Sequence, residues 1–271
     1  MTIPFTLAGA VAVITGAGSG IGRATALTCA ARGAAIVVSD LDAERARTVA
    51  VEIERAGGRA VAQAADVTRE ADLEALRVGA LTAFGRIDVV MNNVGVLAMG
   101  AAETLPDEAW LRVIDTNLMS IARSNRVFLP LLLAQGRGHV INTASVSGLL
   151  AHGFDRLPYV STKHAVVGLS ESLAIYLGPR GVGVTCLCPS GVMTNIIEGI
   201  KVYGEVGTTP RTPAHPVVPA EQVAALAVDA IEQGRFLVVT VPEVKDELVE
   251  RAQDIEGYLQ ARIAEQIAGT T

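Results

Sequence analysis

The sequence of 271 residues has little of what marks several large classes of protein. Charged residues make up only 18% of it and aromatic residues 4%, and 28 acidic against 22 basic side chains give a net charge of −6. The Lys and Arg residues are scattered, so no basic stripe indicates binding to nucleic acid. The hydrophobic fraction of 50% excludes a disordered chain. The length allows one large domain or two small ones with a full-sized core.

Cysteine is also scarce, since Cys29, Cys186 and Cys188 are the only three. An odd, sparse set is not a disulfide framework, which favours a reducing compartment and therefore the cytoplasm. Cys186 and Cys188 fall on one predicted strand, and we expect their thiols on opposite faces, where they cannot share a metal. The four histidines are too dispersed in sequence to predict a ligand cluster; they are His139, His152, His164 and His215. No metal is expected.

No apolar segment predicts export or a membrane span. The run Leu7–Thr15 has no Lys or Arg before it, as a signal peptide would require. The run Val127–Ala134 is too short to cross a bilayer and contains Pro130. We therefore expect a soluble protein with no membrane partner.

Short apolar runs alternate with longer helical stretches along the whole chain. The predicted strands are Ala10–Thr15, Ala34–Ser39, Arg59–Ala65, Ile87–Met91, Gly138–Thr143, Val182–Leu187 and Phe236–Val241. The predicted helices are Gly20–Arg32, Asp42–Ala56, Arg69–Phe84, Pro106–Gln135, Pro158–Leu177, Ala220–Gln233 and Glu243–Ile267. This alternation predicts an α/β fold over residues 1–271, a single Rossmann-type domain. Its doubly wound parallel sheet has about seven strands with helices on both faces. The proline-rich segment at about 195–219 is expected to be a substrate-loop insertion.

A glycine-rich turn follows the first predicted strand and leads into a helix. Gly16, Gly20 and Gly22, with Ser19 and Ile21 between them, would let a pyrophosphate approach the backbone and the helix N-terminus. Glycine turns alone are weak evidence, and a purely structural strand-to-helix turn is the alternative. This glycine-rich turn follows the first strand of an alternating strand–helix pattern, and that position favours dinucleotide binding. It has no Gly-Lys-Ser/Thr, which disfavours a nucleotide triphosphatase.

An acidic residue closes the second predicted strand. Asp40, followed by Leu41, can accept hydrogen bonds from ribose hydroxyls and would repel a 2′-phosphate, which favours NAD over NADP. The alternative is that Asp40 only caps the next helix, a role equally open to Asp42. Arg45, one helical turn further on, would soften the preference. After the third strand, Asp66 and Val67 are expected at the adenine edge, and helix capping by Asp66 remains equally open.

Polar groups cluster where the later strands end, which is the side on which parallel sheets bind ligands. Asn93, Val94 and Gly95 follow the fourth strand, and Ser145 follows the fifth. Tyr159 and Lys163 lie four residues apart, hence on one face of a helix, where the ammonium is expected to lower the pKa of the phenol for acid–base work. A solvent-facing Tyr/Lys pair is the alternative. Asn117 is a polar residue in an apolar stretch of helix, which is costly unless its amide is used.

These motifs together resemble the short-chain dehydrogenase/reductase family. The matching landmarks are Thr-Gly-x-x-x-Gly-Ile-Gly at 15–22, Asn-Asn-x-Gly at 92–95, Ser145, and Tyr-x-x-x-Lys at 159–163. The resemblance implies that Tyr159 transfers a proton, that Ser145 polarises the substrate oxygen, and that Lys163 also holds the nicotinamide ribose. It implies that Asn117 keeps a water in a proton relay. In the Pro189–Thr194 segment it implies that Val192 and Thr194 hold the carboxamide. Val94 and Ser190 depart from the family pattern without removing a catalytic group.

The resemblance implies an NAD(H)-dependent oxidoreductase that interconverts a secondary alcohol and a ketone, assembled as a homotetramer or homodimer. Apolar residues near the crevice suggest a hydrophobic small-molecule substrate, although they could instead pack against each other. The expected substrate contacts are Leu97, Ser147, His152, Phe154, Ile197 and Tyr203. Two other functions stay open: a catalytically silent dinucleotide-binding sensor or scaffold, and epimerase or dehydratase chemistry on the same fold.

Overall fold

The structure of the protein is a computed structural model that describes residues 3–193, 199–204 and 214–268. Its strands are β1 (Val11–Thr15), β2 (Ala35–Asp40), β3 (Arg59–Ala64), β4 (Val89–Asn92), β5 (Ala98–Gly100), β6 (Gly138–Thr143), β7 (Val182–Cys188), β8 (Lys201–Tyr203) and β9 (Leu237–Val239). Its helices are α1 (Gly20–Ala31), α2 (Ala43–Arg55), α3 (Glu70–Phe84), α4 (Asp107–Ile114), α5 (Ser120–Gln135), α6 (Leu157–Leu177), α7 (Ala220–Gln233), α8 (Glu243–Gln253) and α9 (Ile255–Ala268).

Seven strands form one sheet in the order β3-β2-β1-β4-β6-β7-β9, and each neighbouring pair is parallel. The chain leaves β1 to build one half of the sheet and returns at β4 to build the other, so the strand order reverses between β1 and β4. Ligands bind at such a switch point in open α/β sheets. The predicted Rossmann-type sheet of seven parallel strands is confirmed.

Successive residues of the strands point into two separate cores. In β1, Ile14 belongs to one hydrophobic cluster and Val13 to the other, and in β2 the same holds for Ile36 and Val37. All five residues of β1 are buried. Both faces are therefore covered by helices, which is why the strands are continuously apolar.

Three details differ from the sequence prediction. A second, two-stranded parallel sheet pairs β5 with β8 through Met99 and Val202, and its three-residue strands are too short to show a period in the sequence. The predicted helix Pro106–Gln135 contains a π-helical turn at Asp115–Met119 between α4 and α5. The predicted C-terminal helix is broken at Asp254, whose carboxylate accepts a hydrogen bond from the Gly257 amide at 2.8 Å.

The expectation for the two cysteines of β7 is wrong. Residues two apart on a strand face the same side, since the side-chain period is two. The Sγ atoms of Cys186 and Cys188 accordingly lie 3.7 Å apart, and both residues are buried. No helix among the described residues has the length and apolar character to cross a membrane.

Candidate active site

A crevice of about 400 Å³ opens at the switch point between β1 and β4. It lies beside the carboxyl ends of β1, β2, β4, β6 and β7. The predicted site residues on its wall are Gly16, Ser19, Gly20, Ile21, Asp40, Leu41, Asn93, Val94, Gly95, Ser145, Tyr159, Lys163, Pro189 and Val192. The topology therefore brings together residues that are up to 176 positions apart in sequence, from Gly16 to Val192.

The glycine-rich turn needs its glycines for steric reasons. Gly16 and Gly20 have φ values of +62° and +51°, the left-handed region that disfavours other residues. A Cβ on Gly22 would lie 2.2 Å from the Gly16 carbonyl oxygen. Ser19 makes no side-chain cap at the start of α1, and the first turn of α1 carries no acidic residue. The first turn of α1 thus contributes no negative charge of its own and leaves its backbone amides available to an anionic group.

Asp40 faces the glycine turn instead of capping the next helix. Its Oδ2 accepts a hydrogen bond from the Gly18 amide at 2.9 Å, and its Oδ1 accepts one from the Asp42 amide at 3.0 Å. Asp42 is the residue that caps α2, by accepting from Glu44 and Arg45 amides. Arg45 also lies on the crevice wall, with its Nε 3.5 Å from Asp42 Oδ2.

A polar network connects the strand ends below the crevice. Asn93 donates from Nδ2 to the Thr15 and Gly16 carbonyls, each at 3.3 Å, and accepts from the Thr143 hydroxyl at 3.2 Å. Asn92 donates to the side-chain oxygen of Asn142 at 2.9 Å. The network fixes β4 against β1 and β6, and with them the turns that form the crevice wall.

Tyr159 and Lys163 face the same crevice from α6. The Lys163 Nζ lies 5.5 Å from the centroid of the Tyr159 ring and donates a 2.7 Å hydrogen bond to the Thr143 carbonyl. Ser145 lies on the same crevice wall as Tyr159, close enough for its hydroxyl to lower the pKa of the phenol. Ser145 in turn accepts from the Ser147 amide at 3.1 Å. A phenol, a hydroxyl and an ammonium therefore meet at one edge of the sheet.

Burial dominates the electrostatics of this group. It raises the pKa of Tyr159, against the polar interaction with Ser145 and the positive charge of Arg156, which lower it. Burial also lowers the pKa of Lys163 from 10.5 to about 8. The sequence analysis expects a lowered pKa for Tyr159, and here the structure differs, because removing the phenolate from water outweighs the neighbouring groups.

Asn117 lies in the π-helical turn, buried next to the crevice. Its Oδ1 accepts from the Val96 amide at 2.8 Å and its Nδ2 donates to the Val96 carbonyl at 3.0 Å. Its amide is therefore fully used, as a buried mid-helix asparagine requires. Gly95 lies directly between this group and Lys163, since a Cβ there would be 3.7 Å from Asn117 Oδ1 and 3.5 Å from Lys163 Nζ.

A protein-family model for short chain dehydrogenases matches residues 10–201, which include every element described above except α7, α8, α9, β9 and part of β8. The chain belongs to the short-chain dehydrogenase family. Members of this family are oxidoreductases. The crevice brings together residues from the sequence motifs on which the resemblance to the family rests.

Two relatives and one solved structure illustrate the similarity. The cyclohexanol dehydrogenase of Acinetobacter sp. is 39% identical over 189 residues, which are 69% of this chain and 74% of that protein. The 3beta-hydroxysteroid dehydrogenase of Mediterraneibacter gnavus is 35% identical over 190 residues, 69% of this chain and 68% of that protein. A short-chain dehydrogenase/reductase from Burkholderia phymatum in complex with NAD has a TM-score of 0.82 at 35% identity, covering 93% of this chain and 96% of that one.

Several residues that the sequence analysis predicts for the active site of this short-chain dehydrogenase are not on the crevice wall. Among the described residues, Asp66 and Val67 are outside the crevice wall; Asp66 instead accepts hydrogen bonds from the amide and hydroxyl of Thr68, and Val67 borders a small internal cavity. Thr194 and Ile197 lie outside the described residues. Leu97 is buried, Phe154 is exposed, and Tyr203 packs beside the cluster that contains Leu105.

The structure corrects the prediction that the histidines are dispersed. His152, expected near substrate, and His215 both contact Glu247 of α8. Sequence spacing could not show this, because the three residues come from three separate segments.

Two contributors to the short-chain dehydrogenase site were not singled out from the sequence. The Thr143 backbone carbonyl holds the Lys163 ammonium, and the Arg156 charge acts on Tyr159. A backbone acceptor leaves no sequence signal. Arg156 lies three residues before Tyr159, and its position at the start of α6 could have indicated the contact.

Proposed function

We propose that the protein is an NAD(H)-dependent oxidoreductase that interconverts a secondary alcohol and a ketone on a hydrophobic small molecule, with Tyr159 as the general acid/base. The observation that carries the proposal is that Ser145, Tyr159 and Lys163 line one crevice, with the Lys163 Nζ 5.5 Å from the centroid of the Tyr159 ring. A phenol paired with a hydroxyl can hold a substrate oxygen and exchange its proton.

Each residue has a distinct task in this reaction. In the oxidative direction the Tyr159 phenolate takes the hydroxyl proton of the substrate, and in the reductive direction the phenol returns it. Ser145 donates a hydrogen bond to the same oxygen and stabilises the charge that develops on it. Lys163, held by Thr143, places a positive charge near the phenolate and makes the ionised form more accessible. Asn117 positions the segment at Gly95 and Val96.

The crevice fits a nicotinamide dinucleotide, which when bound supplies or accepts the hydride. The backbone of the Gly16–Gly22 turn would hold the pyrophosphate, since a Cβ on Gly22 would collide with the Gly16 carbonyl. Asp40 would accept from the adenosine ribose, and its negative charge favours NAD over NADP. Pro189 and Val192 lie on the wall next to the catalytic residues and would hold the nicotinamide end. The similar Burkholderia phymatum structure is in complex with NAD.

Hydrophobic substrates are favoured by the residues near the catalytic group. Val94, Val96, Ala144 and Val192 line the crevice beside Ser145 and Tyr159. The relatives named for cyclohexanol and for 3beta-hydroxysteroids support a cyclic alcohol or ketone as the substrate class. These two types of alcohol are therefore the first probes for an assay.

The proposal is tested by following reduced cofactor at 340 nm with NAD and either cyclohexanol or a 3β-hydroxysteroid. Tyr159→Phe should lose about 10³-fold or more in turnover, on the order of the general acid/base contribution. It should still bind NADH, measured by protein-to-cofactor fluorescence transfer. Tyr176→Phe, a half-exposed tyrosine on the same helix, is the control and should keep full turnover. Equal turnover in wild type and Tyr159→Phe would contradict the proposal, as would bound cofactor that is never reduced.

We also propose that the chain assembles as a homodimer or homotetramer through α4 and α6. Leu111 on α4 and Ile175 on α6 are 65% and 79% exposed, and a subunit contact at these helices would bury both apolar side chains. Sedimentation analysis should give a dimer or tetramer that Ile175→Lys weakens. A wild-type monomer at micromolar concentration would contradict this assembly.

A further inference from the structure

Three potential metal ligands from separate segments converge outside the catalytic crevice. His152 lies between Ser145 and α6, His215 precedes α7, and Glu247 is on α8. His215 Nε2 is 2.6 Å from Glu247 Oε1, and His152 Nε2 is 3.2 Å from Glu247 Oε2. The candidate ligand atoms of all three residues lie within 4.8 Å of one another. We refer to these three residues as the His152 cluster.

Hydrogen bonding alone does not explain the His152 cluster. Among the described residues, His152 Nε2 and Glu247 Oε2 are both buried without a hydrogen-bond partner, although they face each other at 3.2 Å. The side chain of His215 is 7% exposed and that of His152 is 15% exposed. Buried polar atoms left without partners are costly, so the arrangement calls for a group that satisfies both.

We propose that His152, His215 and Glu247 bind a divalent transition-metal ion, zinc being the ion their chemistry favours. Two imidazole nitrogens and one carboxylate oxygen are a common zinc ligand set. Bonds of about 2.0–2.1 Å in a tetrahedron place ligand atoms about 3.3 Å apart. Both observed separations, 2.6 Å and 3.2 Å, are somewhat shorter than this value. Small side-chain rotations would therefore bring all three ligands onto one ion.

The surrounding charges permit a cation. Apart from the cluster's own members, Arg262 is a positive group and Glu265 a negative group acting on His152. Arg262 Nη2 is 2.6 Å from Glu265 Oε1, and its guanidinium lies over the Tyr258 ring. Together with Glu247, these side chains carry one positive and two negative charges. The field at the His152 cluster thus favours a divalent cation.

The site would be structural, because it connects three segments near the crevice. His152 is midway in sequence between Ser145 and Tyr159, so an ion there anchors the segment that joins them. His215 fixes the chain next to Val218, which bridges to Val192 on the crevice wall. Binding that involves only the folded state raises its stability, so zinc should raise the melting temperature.

The test uses the full chain without a polyhistidine tag, stripped of metal with a chelator and titrated with zinc by calorimetry. Wild type should bind one equivalent. His215→Gln and Glu247→Gln should each weaken binding by more than about 100-fold, since removing a ligand costs more than disturbing its supporting residues. His164→Gln is the control, because His164 is on α6 and its one side-chain hydrogen bond within the described part of the chain is to the Val160 carbonyl of its own helix. It should bind zinc as wild type does. Circular dichroism verifies that each variant folds.

Cobalt distinguishes the His152 cluster from the buried cysteines. Substituted cobalt should give visible bands of a tetrahedral site without an intense thiolate band in the near ultraviolet, and Cys186→Ser should leave them unchanged. Three results would overturn the proposal: no stoichiometric binding by wild type, equal binding by wild type and both ligand variants, or a thiolate band. Neither cofactor nor substrate enters these measurements, so they are independent of the proposed dehydrogenase activity.

Discussion

The side-chain amide of Asn117 pairs with the backbone of Val96 as a neighbouring strand would. Oδ1 accepts from the Val96 amide at 2.8 Å and Nδ2 donates to the Val96 carbonyl at 3.0 Å. The π-helical turn at Asp115–Met119 places this amide at the end of the chain segment that follows β4. The pair fixes Gly95 and Val96 on the crevice wall, next to Lys163.

Replacing Asn117 should therefore affect stability and cofactor binding together. In Asn117→Asp a carboxylate oxygen would face the Val96 carbonyl, so we expect a loss of about 1–3 kcal/mol in unfolding free energy. Binding of NADH should weaken as well. Thr162→Val is the control, because it removes only the longer 3.3 Å contact to Asn117 and bonds within α6. Urea denaturation and NADH titration measure the two effects. Wild-type NADH affinity in Asn117→Asp would contradict the positioning role.

Lys163 should make stability depend on pH in the alkaline range. Its pKa in the folded protein is about 8, against 10.5 ordinarily, because burial penalises the ammonium. Between these values only the unfolded chain binds the proton, so unfolding free energy rises with pH. Relative to Lys163→Met, wild type should gain about 3 kcal/mol from pH 8 to 10.5. Urea denaturation at several pH values measures the difference in unfolding free energy between wild type and Lys163→Met. Groups that titrate in the same way in both proteins do not contribute to this difference. A constant difference across this range would refute the prediction.

The fold could be predicted from the sequence where many residues share one signal. Continuous apolar runs such as Val11–Thr15 predict buried parallel strands, and the spacing of Tyr159 and Lys163 predicts a shared helix face, which the structure shows. The β5–β8 sheet and the His152 cluster could not be predicted, because both depend on contacts between distant segments. The pKa of Tyr159 is raised and not lowered as expected, because the tyrosine is buried. Burial depends on how distant segments assemble around the crevice, so the sequence could not show it either.

Asp40 should set the choice between the two dinucleotides. Its carboxylate faces the glycine turn through the Gly18 amide, where a 2′-phosphate would meet its charge. Asp40→Asn keeps an acceptor oxygen and removes that charge. We expect the ratio of kcat/KM for NADP to that for NAD to rise at least about tenfold, equivalent to 1.4 kcal/mol. Glu44→Gln, which removes an exposed acid of α2 that pairs with Arg47, is the control and should leave the ratio unchanged. An unchanged ratio in Asp40→Asn would exclude Asp40 from this role.

His139 should make the protein sensitive to acid. The Thr185 hydroxyl donates to the Arg235 carbonyl and so accepts from His139 Nε2, which leaves Nδ1 buried without a partner among the described residues. Burial lowers the pKa of His139 from 6.5 to about 3. The lowered pKa of His139 contributes fully to the unfolding free energy above pH 6.5. This contribution is lost as pH falls toward 3, because only the unfolded state takes up the proton in that range.

The size of this effect can be measured by comparing wild type with His139→Gln, whose amide can still donate to Thr185. Between pH 7 and 4, wild type should lose on the order of 3 kcal/mol more than the variant. His164→Gln, a substitution of the same kind at a half-buried position of α6, should follow wild type. Parallel curves for wild type and His139→Gln would show that the buried ring does not govern acid unfolding.

Two helical glycines should respond in opposite ways to alanine. A Cβ on Gly22 would lie 2.2 Å from the Gly16 carbonyl oxygen and 2.7 Å from Asn93 Nδ2, whereas Gly168 on α6 has no heavy atom within 4 Å of its added Cβ. Gly22→Ala should cost about 1–3 kcal/mol from overpacking and weaken dinucleotide binding. Gly168→Ala should stabilise the protein by about 0.5–1 kcal/mol, because alanine loses less conformational freedom in a helix. Urea denaturation and NADH titration of both variants check this. Since the two changes add the same methyl group, equal effects would mean that the close approach in the glycine turn has no energetic importance.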